Sequence, residues 1–125
     1  MDFDANKPIY LQIVERIKAQ IINGNYSPGE KMPSVRDFAA QMAVNPNTMQ
    51  RALAQLESEG LIYTERTSGR FVSLDDKTIK TTKDEQARNI TKKYVQEMQA
   101  LHYSLAEINT LVSESYTNAP KEEQQ

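Results

Sequence analysis

Four arginines, Arg36, Arg51, Arg66 and Arg70, lie within one stretch of the chain, among Ser34, Asn45, Asn47, Thr48, Gln50, Thr67 and Ser68. These side-chain types read duplex nucleic acid. An arginine fork matches guanine O6 and N7, or a phosphate. An asparagine amide pairs bidentately with adenine, and a glutamine amide reaches a base edge or a phosphate. Asn45, Asn47 and Thr48 also fall where a helix is predicted to begin, and backbone N–H groups there favour phosphate. Other chemistries lack their parts. The chain has one His, no Cys and four Gly, none spaced as a phosphate-binding loop. No carboxylates pair at catalytic spacing. His102 has no companion ligand and reads as a helix-end residue in a turn, and Asp75-Asp76 reads as a solvated pair. The sequence predicts no enzyme, no metal and no cofactor.

Two short helices and a hairpin, between Pro33 and Val72, must position these groups. Ser34-x-x-Asp37 resembles a capping box with Asp in place of Glu. Phe38, Ala39 and Met42 recur at helical spacing, and Ala43-Val44-Asn45 breaks the period. Asn45 suits an N-cap and Pro46 the first helical position, where no N–H is needed. Thr48, Met49, Ala52, Leu53 and Leu56 carry the second helix, which Gly60 ends. Leu61–Thr64 and Arg70–Ser73 are β-prone runs around a turn at Ser68-Gly69. This order is the plan of a winged helix-turn-helix, whose second helix enters the major groove.

Gly29–Arg36 (GEKMPSVR), Val44–Thr48 (VNPNT) and Leu56–Ile62 (LESEGLI) together resemble the DNA-binding domain of the GntR family of bacterial transcriptional regulators. The Asn-Pro-Asn-Thr string and the short C-terminal part resemble the YtrA-type branch. The motifs span about residues 8–73. The resemblance implies that Arg36, in Pro-Ser-x-Arg, contacts DNA, and that the loop carrying Lys31 approaches the backbone. It also implies a dimer held by the C-terminal part, and control of membrane-transport genes. Pro46 departs from other branches, which place a guanine-reading arginine there, so their operators do not transfer.

Each candidate has a structural alternative. Arg36 could instead pair with Asp37 or Glu30, Asn45 could only cap, and Gln50 could be merely solvated. Arg51 could support the fold through nearby Glu residues rather than touch phosphate. In the wing, Arg66, Thr67, Ser68, Gly69 and Arg70 are either a minor-groove or phosphate clamp or a solvated tip. Gly69 supplies positive φ and a close backbone approach. The candidate DNA-contacting set is therefore Lys31, Ser34, Arg36, Asn45, Asn47, Thr48, Gln50, Arg51, Arg66, Thr67, Ser68, Gly69 and Arg70. The six Tyr form no stripe beside the basic residues, so no single-strand stacking platform is read.

Charge qualifies this picture. The 125-residue chain has a net charge of −2, and residues 1–75 hold 8 Lys/Arg against 9 Asp/Glu. A basic footprint must be local. Weak non-specific binding is expected, with a large share from base or shape readout. No signal peptide or membrane span is read at the sequence level, and a cytoplasmic location is expected.

Before the hairpin, Met1–Lys7 reads as a polar arm. Ile9, Ile13, Ile17 and Ile21 predict an amphipathic helix from Pro8 to Asn23-Gly24. After it, Leu74–Thr82 reads as a linker and Thr82-x-x-Glu85 as a capping box. Ile90, Tyr94, Met98 and Leu101 predict one helix. Ser104-x-x-Glu107 then caps another bearing Leu105, Ile108, Leu111 and Val112. Two such helices cannot form a stable core alone. These eight residues are the candidate dimerisation set.

The predicted fold is mainly α with a small β-hairpin. A winged helix-turn-helix domain (1–75) precedes a helical dimerisation region (76–117) and a disordered tail (118–125). The expected function is sequence-specific regulation of transcription, most simply repression, by a homodimer on a two-fold-related double-stranded operator. The alternative is a winged-helix module that binds another protein. A small-molecule effector, of no readable identity, would have to use the dimer interface or a cleft between the two parts.

Overall fold

Isoleucine at every fourth position builds α1 (Ile9–Ile22), whose Ile13, Val14, Ile17 and Ile21 are buried. The computed structural model describes residues 3–119. Ser34 caps α2 (Val35–Met42), its hydroxyl accepting from the Asp37 N–H at 3.2 Å. Phe38, Ala39 and Met42 face inward, as the spacing predicts. Ala43 closes this helix in the left-handed region at φ 55°. That conformation costs an L-residue about 1–2 kcal/mol. Asn45 then caps α3 (Pro46–Ser58), its Oδ1 accepting from the Asn47 N–H at 2.7 Å. Met49, Ala52, Leu53 and Leu56 are fully buried beneath it. Gly60, at φ 78°, ends α3 as expected, and the Leu61 N–H reaches back to the Leu56 carbonyl at 3.0 Å.

The hairpin pairs β1 (Ile62–Glu65) with β2 (Gly69–Val72) antiparallel, Tyr63 opposite Phe71 and Thr64 opposite Arg70. Tyr63 and Phe71 stack at 5.7 Å between ring centroids. The segment read as a plain loop adds a short third rung. Lys31 bridges Phe71, the Met32 N–H donates to the Arg70 carbonyl at 2.8 Å, and the Val72 N–H donates to the Glu30 carbonyl at 2.9 Å. Leu61, Ile62 and Val72 complete a core centred on α1 and α3. Burying each such side chain stabilises the fold by about 1.5–3 kcal/mol.

The N-terminal arm is more fixed than its polarity suggests. Gln12 Nε2 donates to the Asp4 and Lys7 carbonyls, at 2.7 and 2.9 Å, and Gln12 Oε1 accepts from the Asp4 N–H. Phe3 packs on the core, with the Arg16 guanidinium 4.4 Å from its ring centroid.

The expected linker does not exist. α4 (Asp76–Ala100) begins within the Leu74–Thr82 segment and runs unbroken past Thr82, so Thr82 caps nothing. Asp75 does the capping instead, accepting from the Lys77 N–H at 3.0 Å and the Thr78 hydroxyl at 2.9 Å. The Thr78 hydroxyl first, then the Lys77 and Thr78 backbone N–H groups, hold the Asp75 carboxyl below its ordinary pKa. Threonine costs a helix interior only a few tenths of a kcal/mol, so it does not break a helix already started. Ile79, on the first turn, packs on the core.

The chain divides into two compact units between Asp84 and Glu85. In the second, α4 buries no side chain, and its C-terminus closes with His102 left-handed at φ 66°. α5 (Leu105–Thr117) opens with the complete predicted capping box: Ser104 Oγ accepts from the Glu107 N–H, and Glu107 Oε1 accepts from the Ser104 N–H. Those two bonds hold the Glu107 carboxyl below its ordinary pKa. Of the tail, Asn118 and Ala119 still donate backbone bonds into the last turn, and 120–125 lie outside the described residues.

Candidate nucleic-acid interface

The N-terminal end of α3 stands open to solvent. Asn45, Pro46, Asn47, Gln50 and Arg51 are exposed or half-buried, as is Thr48, while Met49 between them anchors the helix at 0% exposure. Asn45 uses one Oδ1 lone pair in its cap; Asn47 has its whole amide available. Arg36, on the first turn of α2, has no carboxylate partner among the described residues. Glu30, one of its proposed partners, accepts from the Ser27 N–H at 2.9 Å instead. The turn before α3 is fixed to the end of α2 by Ala43 and Val44, whose N–H groups donate back to the Ala40 and Ala39 carbonyls.

The hairpin contributes a second row. Arg66, Thr67 and Ser68 form its exposed tip, which the Ser68 N–H closes onto the Glu65 carbonyl at 3.2 Å. Gly69 takes φ 112°, which side-chain-bearing residues rarely adopt. A groove of about 520 Å³ joins the tip to the start of α2, and Lys31, Ser34, Asp37, Ser68, Gly69 and Arg70 are among its lining. Arg70 Nε is buried there without a partner. The third rung at Glu30–Met32 is what carries Lys31 to this groove.

Arg51 has a partner within the fold, an aromatic ring rather than the nearby glutamates offered as its structural alternative. Its Cζ lies 3.8 Å from the centroid of the Tyr10 ring on α1. Tyr10 was not singled out by the sequence; no local spacing links two residues on separate helices. At the far end of α3, Lys18 Nζ bonds Glu59 at 2.9 Å and fixes α1 against it.

The candidate dimerisation residues form a different kind of surface. Ile90, Leu101 and Leu105 are 69%, 65% and 73% exposed, and Leu111 and Val112 are exposed as well. Tyr94 and Met98 are half-buried. Ile108 differs, being buried within the single chain. A separate concavity of about 510 Å³, within the first unit, has Arg16, Gln20, Tyr26, Phe38 and Met42 among its lining. Burial, then Glu30, raises the pKa of Tyr26.

Helix, turn, helix and hairpin, with an open α3 end, define a winged helix-turn-helix DNA-binding domain. Residues 9–72 match the bacterial regulatory proteins of the gntR family, and the chain belongs to that family. It is similar to the uncharacterized HTH-type transcriptional regulator YhcF of Bacillus subtilis, with 37% identity over 79% of this chain and 82% of that one. It is 41% identical to the HTH-type transcriptional repressor YtrA of the same organism, over 62% of this chain and 60% of that one. A solved GntR family transcriptional regulator from Listeria monocytogenes superposes with a TM-score of 0.85 at 38% identity, covering 90% of this chain and 98% of its own. The family's members are transcriptional regulators rather than enzymes.

Proposed function

We propose that the protein is a repressor that binds a two-fold-related operator as a homodimer. The observation that carries this is the open N-terminal end of α3, with Asn47 and Thr48 beside Arg36 and no protein group covering them within the first unit. Each copy inserts α3 into a major groove, with half-sites about 10 base pairs or more apart. Arg36, Asn47 and Thr48 read bases or grip phosphates. Lys31, Ser34 and the hairpin residues Arg66 to Arg70 hold the flanking backbone.

Residues 1–75 form the DNA-binding part and 76–117 the dimerisation part, the exposed apolar residues of α4 and α5 meeting those of a second copy. The likeness to a repressor supports the sign of regulation. Selection of bound duplexes from a random pool tests the whole reading. The expected result is an inverted repeat. Failure to enrich any duplex would reject operator binding and favour a protein-interaction module.

A further inference from the structure

Tyr10 lies on the first turn of α1, and Arg51 lies on α3 one turn beyond Asn47, on the same edge. The Arg51 guanidinium is 3.8 Å from the Tyr10 ring centroid, and Arg51 is nevertheless exposed. Among the described residues no carboxylate pairs with Arg51. A guanidinium stacked on a ring uses its face. Its N–H donors lie in its plane and stay free for a planar or tetrahedral anion.

We propose that Tyr10 is a positioning residue for DNA binding: its ring holds Arg51 at the outer edge of α3, ready to clamp a backbone phosphate beside the groove. The inference rests on the DNA-binding reading above and adds to it a residue that contacts no base. A free arginine side chain loses many rotamers on binding; the stack removes that loss beforehand. A phosphate contact of this kind fixes register rather than sequence. The site therefore needs an aromatic ring at position 10, and its hydroxyl is dispensable.

The test uses a duplex selected by the wild-type protein from a random pool, with affinity measured by fluorescence anisotropy across a KCl series. Arg51→Met should weaken binding about ten-fold and flatten the salt slope by about 0.9 for each phosphate that Arg51 neutralises. Tyr10→Leu should act in the same direction, Tyr10→Phe should stay within about two-fold of wild type, and Tyr10→Leu/Arg51→Met should be no weaker than Arg51→Met. Wild-type affinity and slope in Arg51→Met would overturn the proposal, as would losses that multiply in the double variant. Should Tyr10→Leu unfold, Arg51→Met and the Arg51 Nε–H resonance decide, the latter shifting on addition of duplex only if phosphate is gripped. If the wild type selects no duplex, the DNA-binding reading fails first and takes this role with it.

Discussion

Pro46 occupies the first position of α3, where its ring offers no donor to a base or a phosphate. Recognition must then fall on neighbours with donors to offer. Arg36→Ala should weaken operator binding by roughly 1–3 kcal/mol if it reads a base. Its melting temperature should not move, because Arg36 is solvent-accessible and makes no ion pair. Asn45 and Asn47 should separate cleanly. Asn45→Ala removes the cap of α3 and should cost about 1 kcal/mol of stability in a denaturant titration. Asn47→Ala should leave stability within about 0.5 kcal/mol and weaken DNA binding. Ala43 tests the backbone itself. With φ at 55°, Ala43→Gly should stabilise the protein by about 0.5–1 kcal/mol, seen as a raised denaturation midpoint.

Among the elements, α5 depends on a charge. Glu107 completes its capping box as a carboxylate, and its pKa is depressed in the folded state by the Ser104 bonds. Protons therefore bind the unfolded chain more readily, and the box stabilises α5 above the ordinary glutamate pKa of about 4.3. That contribution disappears as pH falls through the depressed folded value. Glu107→Gln should remove this acid-dependent loss, which circular dichroism below that pH would detect. Asp75 at the start of α4 follows the same sign, through its bonds from Thr78 and Lys77. The hairpin depends instead on the rung at Glu30–Met32, which anchors Lys31 and ties the wing to the loop before α2.

For the whole molecule, the exposed apolar residues of α4 and α5 are the surface that the proposed dimer would cover. Ile90, Leu101 and Leu105 are each largely exposed in the single chain. Leu101→Glu combined with Leu105→Glu should yield a monomer in light scattering and lose operator affinity through broken bivalency. The first unit should stay folded, since its core is separate. A dimer in that variant would remove these residues from the interface. The net charge of −2 makes the salt dependence of random-duplex binding the complementary test: affinity should be low even at low ionic strength.

Helix periods, both serine caps, the Asn45-Pro46 start, the Gly60 stop and the hairpin were legible from residues alone, because each arises from neighbours within a few positions. Thr82-x-x-Glu85 misled for the same reason: its local pattern fits a cap, but Asp75 had already started the helix upstream. Only tertiary structure could decide what distant segments bring together. The third rung against Phe71, the docking of Phe3, the burial of Ile108 and the Arg51–Tyr10 stack all join residues whose pairing depends on how packed elements meet. Local hydrogen-bond chemistry is written along the chain, whereas side-chain partners across a core are chosen by the packing that excludes water between them.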